Sequence, residues 1–429
     1  MELKRTVITG AHIIDPSQHL DDVGTIYIEN GKISKITFGE TAIDWENTEV
    51  VDASGLYAAP GFVDIHVHFR DPGLTYKEDI FTGSKAAAAG GVTSVVCMPN
   101  TKPAIDSPDT IRYIIEKAKE ADCHVYPVAT ITKGMAGAEL SDYDALKAAG
   151  AVAVSDDGRP VANARLMQEA MVLCKEKGIV VASHCEDLDI INGGIINKGK
   201  VSEKLGVPGM DRSSEDSITA REIALAAATD TPIHICHVST KGSAEIIRDA
   251  KKRGVKVTAE TAPHYFMMTD ELLLKEDADY RMNPPLREKE DCMAILEAVR
   301  DGVIDVIATD HAPHSPEEKA DFRKAPNGIV GLETSFAACM TSLVHPGIIS
   351  LYGLVERMST LPAELMHLPA GTLKPGAAAD IVLFDTEESW TVEPEKMHSK
   401  ARNTPFKGVT LKGRVKATVL DGRMIYDIR

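Results

Sequence analysis

The chain has 429 residues, of which 44% are hydrophobic and 26% are charged, and its formal net charge at neutral pH is −17. This is the balance of an ordinary globular protein, and the length predicts a large core and more than one domain. The acidic charge argues against nucleic acid as a partner. The seven cysteines occur singly, without a Cys-x-x-Cys pair, which argues against a disulfide framework or a zinc ribbon.

Two further features concern membranes and secretion. Gly10, His12 and Asp15 interrupt the first apolar run, so no signal peptide is expected. No stretch approaches the ~20 consecutive apolar residues that a membrane helix needs. The sequence therefore predicts a reduced, cytoplasmic protein that has no membrane partner.

Both ends of the chain are rich in β-forming residues. Residues 1–55 contain short apolar runs and a hairpin signal around 29–31, and the C-terminal segment has a second tight turn at 421–422. Neither end is long enough to enclose a core. We therefore predict that residues 1–55 and 369–429 together form a small β-sandwich domain.

Residues 56–368 show a different pattern, in which apolar, β-branched runs mostly alternate with helical stretches. Such alternation predicts a parallel sheet, and eight units over about 300 residues predict a (β/α)8 barrel of the TIM type. An open doubly wound sheet is the alternative, but no Gly-x-Gly-x-x-Gly follows any run. The runs are 61–69, 93–100, 124–132, 151–158, 178–187, 232–239, 255–264 and 303–314.

The first run carries the most informative motif. Side chains of a strand alternate between its two faces, so Asp64, His66 and His68 share one face. Two imidazoles at this spacing can chelate one divalent cation. Taken alone, the motif is equally compatible with a strand that holds two structural histidines.

Polar residues cluster towards the C-terminal ends of several of these runs, the strand ends where barrel enzymes build their sites. Chance would scatter such residues along the strands. Imidazoles and carboxylates without thiolates are typical zinc ligands, with manganese, cobalt or iron as alternatives. The residues concerned are His66, His68, Asp156, Asp157, His184, His237, Asp310 and His311.

These motifs resemble those of the metal-dependent amidohydrolase superfamily and, more closely, those of the type I dihydroorotases of the bacterial long-chain class. The resemblance covers nearly the whole chain, from GAHIIDP to GAAADIVLFD, and its most specific parts are HVHFRDPG, SDDG, SHCED, NPPLR and DHAPH. It implies a zinc-dependent cyclic amide hydrolase that interconverts dihydroorotate and N-carbamoyl-L-aspartate in pyrimidine biosynthesis.

The resemblance also implies a pair of zinc ions bridged by Asp157, in the place where most superfamily members use a carboxylated lysine. Asp156 stays open as an alternative, because strand-end bulges weaken an argument from side-chain alternation. Asp310 would act as general base and acid. The implied metal ligands are His66, His68, Asp157, His184, His237 and Asp310.

For the substrate, Arg70 offers a planar fork that suits a carboxylate, and a surface ion pair with Asp71 or Asp79 is the alternative. Related sequences often carry an aromatic residue where Asn327 stands, so the backbone would make the contact there. A turn role for Asn100 is as well supported as binding. The implied substrate contacts are His68, Arg70, Asn100, Asn283, His314, Asn327 and Gly328.

Other roles stay open at this point. His264 and His311 either support the site or are structural, His234 is interpreted as structural, and the charged segment 315–326 is a candidate lid. The polar interval 187–216 is either an excursion over the barrel mouth or an exposed insertion.

A hydantoinase or allantoinase is the second enzymatic hypothesis, although SDDG offers no lysine for carboxylation. A non-catalytic scaffold for aspartate carbamoyltransferase is the third, and it is disfavoured because every candidate ligand is present. The resemblance further implies a homodimer and leaves a complex between an active enzyme and aspartate carbamoyltransferase open.

Overall fold

The computed structural model describes residues 5–39 and 48–429. In chain order the strands are β1 (Arg5–Asp15), β2 (Leu20–Glu29), β3 (Lys32–Phe38), β4 (Thr48–Asp52), β5 (Tyr57–Pro60), β6 (Phe62–Val67), β7 (Val92–Cys97), β8 (His124–Ala129), β9 (Ala153–Val154), β10 (Val180–Ser183), β11 (Ile196–Asn197), β12 (Gly209–Met210), β13 (Ile233–Ile235), β14 (Val257–Thr261), β15 (Val306–Ile307), β16 (Ile381–Thr391), β17 (Thr410–Leu420) and β18 (Arg423–Asp427). The α-helices are α1 (Ile80–Ala89), α2 (Pro108–Ala118), α3 (Tyr143–Ala149), α4 (Ala164–Lys177), α5 (Leu188–Ile191), α6 (Lys200–Leu205), α7 (Ser213–Thr229), α8 (Lys241–Lys252), α9 (Pro263–Met267), α10 (Lys289–Arg300), α11 (Ser335–Cys339), α12 (Leu351–Val355) and α13 (Leu361–Leu365).

Eight parallel strands form the predicted barrel, in the order β15-β14-β13-β10-β9-β8-β7-β6. The first and last strands meet through a parallel bridge between Val67 and His311, and the His68 amide donates to the His311 carbonyl at 2.8 Å. At the same junction between the first and last strands, Asp64 accepts a hydrogen bond from the Thr309 amide at 3.2 Å. Each of the eight predicted runs overlaps one barrel strand, so the predicted fold class is confirmed.

Local signals set the helix boundaries around this barrel. Ser107 caps α2, and its hydroxyl accepts from the Thr110 amide at 3.3 Å, with Pro108 as the first helical residue. Helix α4 ends where Gly178 adopts a φ of 60°, a left-handed conformation that glycine accepts without a Cβ clash. The largest apolar cluster joins strand residues such as Val95 to helix residues such as Ile111 and Ile295. The helices therefore bury one face against the strands.

The terminal strands form a second sheet, with the order β18-β17-β16-β5-β1-β2-β3 and with β4 paired to β1. Strand β5 runs parallel to β1 and antiparallel to β16, and so joins the two ends of the chain. This confirms that both termini build one small β domain. The division at residues 55/56 and 368/369 stays a prediction; β5 lies just beyond the first of these boundaries and belongs to the terminal sheet.

The segment 187–216 is not a simple exposed insertion. It contains α5, the two-stranded sheet of β11 and β12, and α6. Asn197 is fully buried, donates to Asp270 at 3.0 Å and accepts from Arg287 at 3.1 Å. These contacts fasten the segment to the loops that follow the barrel strands.

No helix within residues 5–39 and 48–429 is both long enough and apolar enough to cross a membrane. All seven cysteines lie in the described part of the chain, and each is buried and unpaired.

Candidate active site

The strand-end residues singled out in the sequence converge on one buried cluster at the carboxyl end of the barrel. His66 is the penultimate residue of β6, and His68 follows that strand directly. The remaining members each lie one to three residues beyond a strand of the same barrel, which brings distant parts of the chain to one point. They are Asp157, His184, His237 and Asp310.

Asp157 lies at the centre of this cluster. Its Oδ1 is 3.4 Å from His66 Nε2, and its Oδ2 is 3.5 Å from His68 Nε2. Its Oδ1 is also 3.2 Å from His184 Nδ1 and 3.5 Å from His237 Nε2. The one carboxylate therefore faces all four histidines.

Asp310 closes the other side of the cluster. Its Oδ1 lies 3.1 Å from His68 Nε2 and 3.7 Å from His66 Nε2. Its backbone φ of 50° lies in the left-handed region, as do those of Arg70 (60°) and His237 (32°). Such conformations are costly for residues other than glycine and concentrate at functional sites.

The donor set suits a divalent cation. Two groups of ligand atoms each lie within 4.8 Å of one another, one of His66, His68 and Asp157 and one of Asp157, His184 and His237. Among the described residues, the buried atoms His66 Nε2 and Asp157 Oδ1 have no hydrogen-bond partner. A tetrahedral cation with bonds of about 2.0–2.2 Å keeps its ligand atoms roughly 3.3–3.6 Å apart, close to the 3.2–3.5 Å between Asp157 and the four histidines. His184 Nδ1 and His237 Nε2 lie closer together, at 2.8 Å, and these two rings would have to move apart to bind one ion.

The charges of the cluster support the same interpretation. Burial alone would raise the pKa of Asp157, but the neighbouring histidines hold it well below its usual range. Burial would likewise raise the pKa of Asp310, but the hydrogen bond to His68 together with the charges of His66, His68 and His237 outweighs burial and lowers that pKa. Both carboxylates are therefore ionised near neutral pH, as metal ligands must be.

In three of the histidines, the ring nitrogen that does not face Asp157 contacts a residue outside the cluster. Asn100 Oδ1 lies 2.8 Å from His68 Nδ1, and Glu186 Oε2 lies 3.0 Å from His184 Nε2. Glu260 Oε1 lies 2.5 Å from His66 Nδ1. Such contacts fix the tautomer and ring orientation of metal-binding histidines.

Sequence reasoning missed both glutamates. Glu186 lies two residues after His184 in SHCED, a spacing that places two side chains on one face of an extended chain. Glu260 lies near the end of the seventh barrel strand, four residues before His264, the residue that the sequence analysis considered there. Both signals were present in the sequence.

The structure separates the two adjacent aspartates. Asp156 lies outside the cluster and accepts hydrogen bonds from the amides of Ile131 (2.8 Å) and Thr132 (3.1 Å). Burial raises its pKa to about 6. Asp157, rather than Asp156, is the residue that faces the histidines.

The three histidines with open roles contact other groups. His311 accepts from the Gly331 amide through Nδ1 at 3.2 Å, and its Nε2 lies 3.6 Å from Glu78. His264 is buried against Tyr265, and burial lowers its pKa to about 4. His234 contacts Glu260 and no member of the cluster.

Arg70 lies beside the cluster and is 8% exposed, so the surface ion-pair alternative does not describe it. Its Nε donates to the Pro313 carbonyl at 3.2 Å, and its Nη2 lies 3.4 Å from His314 Nε2. Lys77 Nζ lies 3.2 Å from His314 Nδ1. Burial and these cations lower the pKa of His314, which is therefore neutral. Arg70 and Lys77 thus lie on either side of the His314 ring, and Lys77 is paired with Glu318 at 2.8 Å.

The remaining predicted substrate residues lie near Glu186 or near His314. Asn283 donates to Glu186 at 3.0 Å, while the Asn327 side chain accepts from Arg281 at 3.1 Å. The Asn327 carbonyl accepts from His314 at 2.9 Å. Gly328 has a φ of 145°, and a Cβ there would lie 2.5 Å from the Ala312 carbonyl oxygen, so only glycine fits. At this position the backbone, rather than the Asn327 side chain, is turned towards His314.

The candidate lid 315–326 is anchored at its centre. Lys319 is buried and donates to the carbonyls of Ala278 (3.0 Å), Arg281 (3.1 Å) and Pro326 (2.9 Å). Its role as a lid stays a prediction.

Solved structures share this architecture along nearly the whole chain. A dihydropyrimidinase from Brevibacillus agri NCHU1002 matches with a TM-score of 0.86 and 27% identity, over 99% of this chain and 95% of that one. An L-hydantoinase from Arthrobacter aurescens matches with a TM-score of 0.88 and 24% identity, over 98% of this chain and 96% of that one, and shows the fold alone. Fold and site together define a barrel hydrolase of the metal-dependent amidohydrolase class.

Sequence comparison narrows this class. A family model described as dihydro-orotase-like matches residues 56–243. A protein named dihydroorotase from Geobacter metallireducens is 51% identical over 98% of this chain and 99% of its own length. One of the same name from Trichlorobacter lovleyi is 50% identical over 99% of both. The chain belongs to the dihydroorotase family, and it is a cyclic amide hydrolase.

Proposed function

We propose that this chain is a zinc-dependent dihydroorotase that interconverts dihydroorotate and N-carbamoyl-L-aspartate in pyrimidine biosynthesis. The observation that carries the proposal is the Asp157 carboxylate, whose oxygens lie 3.2–3.5 Å from ring nitrogens of four buried histidines. Asp310 lies 3.1 Å from one of these histidines, His68. The dihydroorotases to which the chain is similar support the choice of substrate.

In this proposal a pair of zinc ions shares Asp157. His66 and His68 would hold one ion, His184 and His237 would hold the other, and Asp310 would complete the first site. When bound, the ions supply Lewis acidity, which makes water a nucleophile near neutral pH and polarises the amide carbonyl. Nitrogen and oxygen donors without a thiolate favour zinc, although the same donors accept other divalent metals.

Asp310 moves the proton. Its carboxylate is ionised and buried, so it can accept a proton from the attacking water at Oδ1. In the hydrolytic direction it then donates that proton to the departing ring nitrogen. The reverse sequence closes the ring, with Asp310 taking the proton from the carbamoyl nitrogen. The left-handed backbone at this residue helps aim the carboxylate at the substrate.

Arg70 binds the substrate carboxylate. Its guanidinium lies in a buried position next to His314, with Lys77 on the far side of that ring. A planar guanidinium can donate two parallel hydrogen bonds to a carboxylate. Asn100, Asn283 and the backbone of Gly328 then limit the position of the ring.

We expect the substitution Arg70→Met to raise the KM for dihydroorotate about 10- to 100-fold, because a charge-assisted hydrogen bond contributes roughly 1.5–3 kcal/mol. The zinc content should not change, since Arg70 contacts no metal ligand directly. Steady-state kinetics and metal analysis of the same preparation check both results. Arg112→Met, at an exposed ion pair with Asp109, is the matched control, and equal KM values for the two variants would contradict the role.

The direct test is formation of N-carbamoyl-L-aspartate from dihydroorotate by the purified chain, before and after treatment with a chelator. The proposal predicts that activity disappears with the metal and returns with zinc. A parallel panel of hydantoin and allantoin substrates separates the related cyclic amide hydrolases. Turnover of that panel without turnover of dihydroorotate would refute the proposal.

We further propose, from the family resemblance alone, that the chain forms a homodimer. The same resemblance leaves a complex with aspartate carbamoyltransferase open. A cytoplasmic location agrees with seven unpaired cysteines. Light scattering of the purified chain, with and without the transcarbamoylase, tests both assemblies.

A further inference from the structure

A buried carboxylate with no part in the proposed mechanism lies directly behind His66. Glu260, in β14, is 1% exposed, and its two oxygens are divided between two histidines. Oε1 lies 2.5 Å from His66 Nδ1, and Oε2 lies 3.1 Å from His234 Nε2. His234 Nδ1 is in turn 2.9 Å from Thr258 Oγ1. Strands β6, β13 and β14 thus contribute to one chain of contacts that ends at a proposed metal ligand.

We propose that Glu260 is a positioning residue of the metal centre. It fixes His66 in the tautomer whose Nε2 lone pair faces Asp157, and His234 holds Glu260 in place. The inference rests on the proposed function, because that function makes His66 a metal ligand.

The hydrogen-bond chemistry leaves few alternatives. An ionised carboxylate only accepts hydrogen bonds, so both rings donate to Glu260, His66 through Nδ1 and His234 through Nε2. A neutral imidazole with its proton on Nδ1 has its lone pair on Nε2. Nε2 of His66 is the buried atom that lacks a partner among the described residues and lies 3.4 Å from Asp157. His234 Nδ1 is then free to accept from the Thr258 hydroxyl.

A direct ligand role for Glu260 is the competing interpretation. Cys236, His66 and Glu260 also place ligand atoms within 4.8 Å of one another. However, both oxygens of Glu260 are already engaged by histidines, and the His237 amide approaches Oε1 at 3.3 Å as well. A carboxylate occupied in this way orients a ligand rather than binding the metal itself.

The test is the zinc dissociation constant of the full-length chain, measured by competition with a chromophoric chelator. We expect zinc to bind about 10-fold more weakly to Glu260→Gln and about 100-fold more weakly to Glu260→Met, the range found for groups that support metal ligands. Glutamine keeps one acceptor but not the charge, whereas methionine has a similar length and no acceptor. A Glu260→Gln variant that binds zinc as tightly as the unchanged chain would overturn the proposal, whether or not the Met variant folds.

Two control variants sharpen the result. Glu222→Gln alters another buried carboxylate, paired with Arg221 and in contact with no proposed ligand, and should leave zinc affinity unchanged. Cys236→Ala should also leave it unchanged, and a loss equal to that of the Glu260 variants would overturn positioning in favour of direct ligation. The ring 15N shifts of His66 in zinc-free protein, recorded at a pH at which this ring is neutral, give a second readout, with the proton on Nδ1 in the unchanged chain and a mixture of tautomers in Glu260→Met. If the unchanged chain bound no zinc, the proposed function itself would fail.

Discussion

Replacing Asp310 with asparagine is expected to lower the turnover of dihydroorotate about 1,000-fold, within the range for loss of a general acid–base group. Asparagine has nearly the same shape, but its amide cannot accept the proton of the attacking water at neutral pH. Zinc should remain bound, because Asp157 and the four histidines are unchanged. The amide oxygen can still lie near His68, so the local packing should persist.

Single-turnover kinetics and metal analysis of the Asp310→Asn chain check this expectation. Asp305→Asn is a suitable control, because this carboxylate lies just before β15 and pairs with Lys251. It lies at the opposite end of the same strand from Asp310, and its carboxylate contacts Lys251 and the Ala259 amide rather than the cluster. Retained turnover in Asp310→Asn would remove Asp310 from the role of base, whatever its zinc content.

Replacing Asp157 with alanine is expected to raise the zinc dissociation constant at least about 100-fold. Loss of a group that only supports a metal ligand typically raises this constant roughly 10–100-fold. The Asp157 carboxylate lies within 3.5 Å of all four histidines. Without it, the two proposed sites lose their common ligand. The amount of zinc bound per chain after dialysis measures this loss of affinity. The activity regained when zinc is added back is measured next.

The adjacent aspartate provides the matched comparison. Asp156→Ala should keep zinc but lower the free energy of unfolding by about 1–3 kcal/mol, since the buried amides of Ile131 and Thr132 lose their acceptor. Chemical denaturation measures this loss. Should Asp156→Ala lose zinc and Asp157→Ala keep it, the assignment of the bridging residue would be reversed.

The site also explains how a strongly acidic chain can bind an anionic substrate. The net charge of −17 is summed over the whole chain, whereas Arg70 and Lys77 are buried on either side of His314. Charges in a buried position are screened much less than exposed ones. The Arg70 guanidinium can therefore act on a substrate carboxylate at short range although the chain as a whole is acidic, and net charge alone says little about a small-molecule ligand.

Much of this protein follows from local sequence patterns. The barrel was predictable because each apolar run of β-branched residues suits a strand buried on both faces, and the intervening stretches carry helix caps such as Ser107. The proposed ligands were identifiable because strand ends of a parallel barrel all meet at one face, wherever they fall in the sequence.

Only the tertiary structure decided which polar residues meet. Asp156 and Asp157 are neighbours with the same chemistry. In the closed barrel, Asp156 contacts the backbone at residues 131–132, whereas Asp157 contacts the histidines. Glu260 reaches His66 across 194 residues of sequence, a pairing that no local pattern encodes. Side-chain alternation gives the face of a strand, whereas the contacts on that face depend on which strands close the barrel and where each one ends.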